Sequence, residues 1–489
     1  MLRGLNKVAT AVSLTIGPKG TNVFLDSPVR ARFTNDGASI AQEIVLPDKL
    51  ENAGAWVARN ACAQTNDDAG DGTTTTVVLL KAVIDECLAR PENRTLVMQS
   101  LMEAKDKAIA ALKKQAKPIS QKEVINVARI SAENEELAQL ITEVVGKVGA
   151  KAVITVEDRQ DGFESDYKLV QGYEAHVGFM SPYFGNDQQK ARAVHTDIPV
   201  LCTAKKLGTV NDLKMFEQFA KEGINSLVVV AEDIDPTILG IFVATKLSGK
   251  MNLLVIKAQG PLLEDIAASV GATIISDETG ITFDNFEAKH LGKASKVICE
   301  EKKTVFMSGS PTAKKQADRL EAFAEGNPNS IEQRKLRERA AKLKGGIAVI
   351  RIGAHTDAER NYLRDKADDT VHSVQSALEE GVVAGGGMAL YALSQLKART
   401  VGEEILSKAF KAPLRQIIAN TGKDYAEVIK NLPEGQGYDA KKDRYCDFHK
   451  EGILDPLKAE RCAIENAVST AAHFITSHCA ITEYEKPEA

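Results

Sequence analysis

At 489 residues the chain exceeds one compact core, because single cores stop growing at roughly 250–300 residues, and two or three domains are expected. Its composition, 44% hydrophobic and 26% charged, is that of an ordinary globular protein and excludes disordered and fibrous classes. With 62 basic against 67 acidic side chains the formal charge is -5, and no long basic stripe offers itself to nucleic acid.

The cysteines Cys62, Cys87, Cys202, Cys299, Cys446, Cys462 and Cys479 are scattered, odd in number and free of C-x-x-C spacing. They read as reduced thiols of a cytoplasmic protein, not as a disulfide framework or zinc site. The stretch from Val8 to Ile16 loosely mimics a signal peptide, but Thr10, Ser13 and Thr15 interrupt it. No apolar run reaches the roughly 18 residues of a membrane span, so no membrane association is expected.

Along the chain, residues 22–25 and 32–34 read as a hairpin leading into Asn35-Asp36-Gly37. Residues 75–88 and 98–117 carry helical patterning, and Pro118 after the basic end Lys113-Lys114 is a helix stop and a candidate boundary. From residue 172 to 346 the texture changes to apolar runs at 226–230, 253–256 and 272–275 separated by helical stretches. Continuous apolar runs suit strands buried on both faces, so this part is expected to be an α/β domain. Residues 320–343 read as one long charged helix with Leu336, Ala340 and Leu343 as a packing seam. After Ile347-Ala348-Val349-Ile350 the chain returns to helical texture, so the α/β part is expected to interrupt a discontinuous outer domain.

The strongest local signal is Gly70-Asp71-Gly72-Thr73-Thr74-Thr75 directly before an apolar helical run. Two glycines allow close backbone approach, a helix start presents unpaired N–H groups, and the threonines add hydroxyl donors. Asp71 could bring a carboxylate to a hard cation arriving with phosphates. The plainer alternative is that Asp71 and Thr73 only cap the helix. Thr15-Ile16-Gly17-Pro18 and Gly385-Gly386-Gly387 permit further close backbone approaches, with an ordinary turn and tight helix packing as their alternatives. No G-x-x-x-x-G-K-[ST], G-x-S-x-G or H-E-x-x-H motif occurs, which disfavours P-loop NTPases and two common hydrolase classes.

Together with Val153-Ile154-Thr155-Val156-Glu157-Asp158, Ser181-Pro182-Tyr183-Phe184, Glu379-Glu380-Gly381, Ala412-Pro413-Leu414-Arg415 and Gly452-Ile453-Leu454-Asp455-Pro456, these segments resemble the group I chaperonins, the GroEL family. The resemblance covers essentially the whole chain. It implies a multidomain α+β/α fold of three domains: an α-helical, ATP-binding equatorial domain (1–117 and 381–489), a small intermediate hinge domain (118–171 and 347–380) and an α/β apical domain (172–346).

By the same resemblance, Thr15, Ile16, Gly17, Pro18 and Gly37 line ATP, Asp71 holds Mg2+, and Gly72, Thr73, Thr74 and Thr75 cradle phosphates. Ile130 and Ser131 approach the nucleotide from the intermediate domain. Gly385, Gly386, Asp439, Ala440, Ile453 and Asp455 contact base and sugar. Asp369, helped by Asp36, orients the attacking water. K+ is a further implied cofactor. Phe179, Tyr183, Phe184, Leu213, Phe216, Leu239, Val243 and Ala244 are the implied apical contacts for unfolded polypeptides and a GroES-like co-chaperonin, in a sevenfold homo-oligomeric ring. Asn35 stands where the family has lysine, Asp439 where it has asparagine, and Val177 where GroEL has arginine. Two functions follow: an ATP-driven folding machine, or a divergent binding or structural relative with little or no turnover. Retention of Asp36, Asp71 and Asp369 together favours the first.

Overall fold

The computed structural model describes residues 1–26, 32–120, 123–150, 152–159, 161–187, 192–325, 330–477 and 479–482. The chain opens with helix α1 (Leu2–Ser13), hairpin strands β1 (Val23–Leu25) and β2 (Arg32–Thr34), then α2 (Gly37–Glu43), α3 (Lys49–Ala69), α4 (Thr73–Leu88), α5 (Arg94–Gln115), α6 (Val124–Ala132) and α7 (Glu135–Val148). Its middle holds β3 (Val153–Asp158), β4 (Asp166–Ala175), β5 (Ala193–Thr203), α8 (Lys214–Lys221), β6 (Ser226–Ala231), α9 (Pro236–Leu247), β7 (Asn252–Lys257), α10 (Gly260–Val270), β8 (Gly292–Cys299), β9 (Thr304–Met307), α11 (Pro311–Glu325), α12 (Ser330–Lys344) and β10 (Gly346–Ile352). The last part runs through α13 (Asp357–Glu380), β11 (Val382–Ala384), α14 (Met388–Ser394), α15 (Val401–Ala409), α16 (Ala412–Asn420), α17 (Tyr425–Lys430), β12 (Gly437–Asp439), β13 (Arg444–Cys446), α18 (Phe448–Glu451), β14 (Leu454–Pro456) and α19 (Leu457–Thr476).

Two compact units result. One joins residues 1–151, 156–167 and 350–489, and the other holds 152–155 and 168–349. The first is helical, and both ends of the chain contribute to its core: Leu5 and Leu80 pack in one cluster with Leu101, Ile405 and Ile464. The two ends also meet through backbone, since Lys117 and Val382 exchange N–H···O bonds of 2.9 Å in both directions. The helix before Pro118 therefore stops at Gln115, and Lys117 is already extended. This helix starts earlier than its apolar pattern suggests, at Arg94, because Asn93 caps it by accepting the Thr95 N–H at 2.9 Å.

In the second unit the apolar runs at 226–230 and 253–256 are β6 and β7, paired in parallel to each other, with β6 parallel to β5. The eight-stranded sheet has the order β3-β10-β4-β9-β8-β5-β6-β7, and β5, β8, β9 and β4 are antiparallel neighbours. Residues 272–275 do not form the expected strand. Gly271 ends α10 in the left-handed region at φ 74°, and only Ile275 bridges to Thr203. The single helix expected at 320–343 is two helices, α11 and α12; the intervening sequence, with Gly326 and Pro328, lies outside the described residues. Its seam persists, because Ala340 and Leu343 are buried in the core of this unit and Leu336 packs partly buried against it. Arg339 of α12 forks onto Asp265 of α10 at 2.8 and 2.7 Å, and that carboxylate is 1% exposed. All seven cysteines are free thiols. No helix among the described residues is long and apolar enough to cross a membrane.

Candidate functional site

A cavity of about 510 Å³ opens in the helical unit, and its walls come from segments far apart in sequence. The tightest of these is the bend between α3 and α4. Gly70 closes α3 in the left-handed region (φ 67°), and Gly72 opens α4 in the same region (φ 82°). An L side chain is disfavoured at both positions. The N-cap of α4 is thus Gly72, not Asp71 or Thr73, and no side chain caps this helix start. Gly72, Thr73, Thr74 and Thr75 line the cavity with first-turn N–H groups, an arrangement that suits an anion.

Asp71 is held from two sides. Its Oδ1 accepts the Gly72 N–H at 2.6 Å, and its Oδ2 accepts a short hydrogen bond from the Ser373 hydroxyl of α13. Ser373 also lies 3.4 Å from the Ser131 hydroxyl of α6. Asp36 caps α2, with Oδ1 accepting from Ala38 N–H at 3.0 Å and Oδ2 from Ser39 N–H at 2.9 Å. That use of both oxygens makes Asp36 a fixed negative charge at the cavity wall. Gly37 must lack a side chain, because a Cβ would fall 2.4 Å from Thr74 Oγ1. Thr15 sits opposite, its Oγ1 donating to Val12 O at 2.9 Å and lying 3.5 Å from Thr74 Oγ1.

Asp369 of α13 lines the same cavity and is half-buried. Burial, then the neighbouring Asp36 and Asp71 carboxylates, hold its carboxyl well above the usual aspartate range, with Lys366 opposing. Lys366 itself is 12% exposed and pairs with Glu133 at 2.7 Å. Burial would lower its ammonium pKa, yet Glu133 and Asp369 keep it above the ordinary value. Across the cavity, Asp455 Oδ2 accepts the Gly386 N–H at 3.0 Å. Burial and repulsion from Asp71 raise the Asp455 carboxyl, and burial with the Asp455 and Asp71 charges raises Glu460. Oε2 of Glu460 is buried without a hydrogen-bond partner.

Thr15, Ile16, Gly17, Pro18, Asp36, Gly37, Asp71, Gly72, Thr73, Thr74, Thr75, Ile130, Ser131, Asp369, Gly386, Asp439, Ala440, Ile453 and Asp455 all line this one cavity. Gly385 stands just behind it, donating its N–H to Ile453 O at 2.9 Å, and a Cβ there would meet Asp455 Oδ1 at 2.8 Å. The Asp439 carboxylate holds the β12–β13 turn, its Oδ1 accepting from Lys441 N–H at 3.0 Å and Lys442 N–H at 3.1 Å. Asn35 also faces the cavity. Sequence reading missed Ser373, Lys366, Glu133, Tyr438, Phe448 and Glu460, which line it as well. Ser373 and Lys366 were within reach, lying four and three residues from Asp369 on one helix face.

The crowding of carboxylates fits a divalent cation entering with a polyanion. Among the described residues no three His, Cys, Asp or Glu side chains form a complete metal cage, and Mg2+ does not require one when phosphates supply ligands.

In the α/β unit, the eight apolar positions expected to face a polypeptide divide. Tyr183 is 63% exposed and Ala244 is exposed, while Phe179, Leu213, Leu239 and Val243 are partly covered by the core. Phe184 and Phe216 do not meet the expectation of exposed surface, being 0% and 7% exposed. Phe184 turns inward at the end of a short 3-10 turn, and Phe216 packs against Phe242 at 5.0 Å between ring centroids. Val210, in the turn that holds Leu213, and Leu247, at the end of α9, are each 66% exposed.

Residues 8–483 match the model of the TCP-1/cpn60 chaperonin family. The fold is similar to that of chaperonin gp146 from the bacteriophage EL 2 (Pseudomonas aeruginosa), crystallised in the presence of ATP-BeFx. Crystal form II matches with TM-score 0.67 and 19% identity over 97% of this chain and 96% of that one. Crystal form I gives 0.63 and 19% over 99% and 97%. With a family match over nearly its whole length, the chain belongs to the TCP-1/cpn60 chaperonin family, as a divergent, GroEL-like member.

Proposed function

We propose that this chain is an ATP-hydrolysing chaperonin subunit that binds unfolded polypeptides and promotes their folding as part of a homo-oligomeric ring in the cytoplasm. The observation that carries the reading is the convergence of Asp36, Asp71 and Asp369 on one cavity from three separated segments. The family match and a relative crystallised with ATP-BeFx support it further.

In this reading the phosphates lie on the Gly72–Thr75 helix start, with base and sugar toward Gly385, Gly386, Asp439, Ala440, Ile453 and Asp455. Asp71 would hold Mg2+, which would neutralise phosphate charge when bound. Ser373 and the Gly72 N–H fix the Asp71 carboxylate and thereby aim it. Asp369 accepts a hydrogen bond from the attacking water, and its raised basicity suits that task. Asp36, immobilised by its cap bonds, supports the water as a fixed charge. K+ would be a further cofactor. Thr15 to Pro18 and Ile130 with Ser131 complete the walls.

The equatorial domain comprises 1–117 and 381–489, the intermediate domain 118–171 and 347–380, and the apical domain 172–346. Tyr183 and Ala244 lead the contact with clients and a GroES-like lid, with Phe179, Leu213, Leu239 and Val243 behind them. One buried apolar side chain contributes roughly 1.5–3 kcal/mol, so a single subunit would hold a client weakly and a ring by multivalency. Titration calorimetry with Mg2+ and ATP or ADP, alongside electron microscopy of the same preparation, tests the reading. Nucleotide binding and rings are expected; a monomer that binds neither nucleotide contradicts it, and a nucleotide-binding ring without turnover supports the binding-protein alternative.

A further inference from the structure

We propose that Lys366 is the cation that meets the terminal phosphate of the bound nucleotide, and that Glu133 masks it while the cavity is empty. The proposal rests on the nucleotide reading above and adds a residue to it.

Four basic side chains line the cavity among the described residues: Arg129, Lys366, Lys441 and Lys442. Arg129 is about half exposed and committed as a fork to Glu135, at 2.8 and 2.7 Å. Lys441 and Lys442 are exposed on the β12–β13 turn. Only Lys366 is both enclosed, with its side chain 12% exposed, and one helical turn from Asp369 on α13. It therefore stands beside the carboxylate that faces the reacting water, in a cavity otherwise crowded by Asp36, Asp71 and Asp369. A polyphosphate brought here requires positive charge at its terminal end, and a lysine ammonium on a long stem supplies it as a movable point charge.

Glu133 is built as an exchangeable partner. It ends α6 in the left-handed region at φ 52°, a conformation that is costly for a non-glycine residue. Its Oε1 accepts from Lys366 Nζ at 2.7 Å and its Oε2 from Tyr362 OH at 3.4 Å. Glu133 is the exposed half of the pair, with its side chain 42% exposed, and an ion pair open to solvent adds little to the fold. Phosphate oxygens can replace the Glu133 carboxylate as acceptor without leaving the ammonium unpaired. In the step so assisted, the water oxygen bonds to the terminal phosphorus as that phosphorus separates from the bridging oxygen. ADP leaves with the electron pair, the water proton passes to Asp369, and Lys366 offsets the charge growing on the terminal and bridging oxygens.

Full-length Lys366→Met, Lys366→Arg and Glu133→Gln proteins are compared with the unaltered chain by calorimetric titration of ATP and ADP and by single-turnover phosphate release, all with Mg2+. Loss of one such transition-state contact lowers the rate by about 100-fold, so Lys366→Met should release phosphate that much more slowly. It should also lose its preference for ATP over ADP while keeping ADP affinity. Lys366→Arg should restore part of the rate, and Glu133→Gln should bind ATP more tightly. If Lys366→Met matches the unaltered protein in rate and ATP preference, the proposal is overturned and the nucleotide reading stands. If Glu133→Gln and Lys366→Met show the same losses, the pair is only a tie between α6 and α13, which also overturns it. An unaltered chain that binds no nucleotide removes both readings.

Discussion

Replacing Gly70 by alanine tests how the bend proposed to bind phosphate is fixed. Gly70 has φ 67° and donates its N–H to Asn66 O at 2.8 Å to finish α3. A Cβ added there would lie 2.3 Å from Cγ and 2.4 Å from Cβ of His372 on α13, distances that require backbone or helix movement. A left-handed alanine costs about 1–2 kcal/mol and overpacking of this kind about 1–3 kcal/mol, so Gly70→Ala should destabilise the helical unit by roughly 2–5 kcal/mol. The sole tryptophan, Trp56, lies on the same helix α3, so its fluorescence in a urea titration reports this unit separately from the other. Gly70→Ala/His372→Ala removes the Cγ obstacle but keeps the Cβ at 2.4 Å, so it should recover only part of the overpacking and leave the conformational part. A Gly70→Ala protein within about 0.5 kcal/mol of the parent would refute the reasoning, as would a double variant with no recovery.

Two further substitutions probe the α/β unit. His195 is 5% exposed, and burial, with Lys246 nearby, lowers its pKa from 6.5 to about 4. The unfolded chain therefore takes up a proton before the native one as pH falls. Stability is full above pH 6.5 and declines by about 3 kcal/mol on the way down to pH 4; His195→Gln should flatten that decline in acid denaturation curves, and an unchanged slope counts against it. Arg339→Met leaves the Asp265 carboxylate, 1% exposed, without its fork. Loss of one partner of a buried pair costs about 3–5 kcal/mol, to be read as a lower urea midpoint for this unit, and the double change with Asp265→Leu should recover much of it.

Much of the cavity was legible because a tight bend against a neighbouring helix constrains backbone, and backbone constraints show as glycine spacing. Gly70 and Gly72 hold the bend at positive φ, and a Cβ would fall on His372 at Gly70 and on the Thr74 hydroxyl at Gly37. What such motifs cannot carry is the direction of a side chain on a helix. Asp369 alone looks like any charge in a charged helix, and the role proposed for it rests on family resemblance. Ser373, Lys366 and Glu133 had no such match, although helical spacing from Asp369 brings the first two to the same face. The apolar runs of β6 and β7 were readable because they are buried on both faces. The run at 272–275 has the same composition, but it follows a left-handed Gly271 and makes only a bridge. Exposure was the least legible property. Phe184 and Phe216 resemble client contacts by position, yet burial depends on what packs above them, and here that is the core.

The most direct test of the central claim is phosphate release from ATP by the purified chain and by Asp369→Ala, with Mg2+ and with nucleotide affinity measured on the same samples. Loss of a positioned general base lowers rates by about 100- to 10,000-fold, so the unaltered chain should turn over while Asp369→Ala binds ATP and scarcely hydrolyses it. Equal turnover by the two proteins, or none by an unaltered chain that binds ATP, would contradict the account.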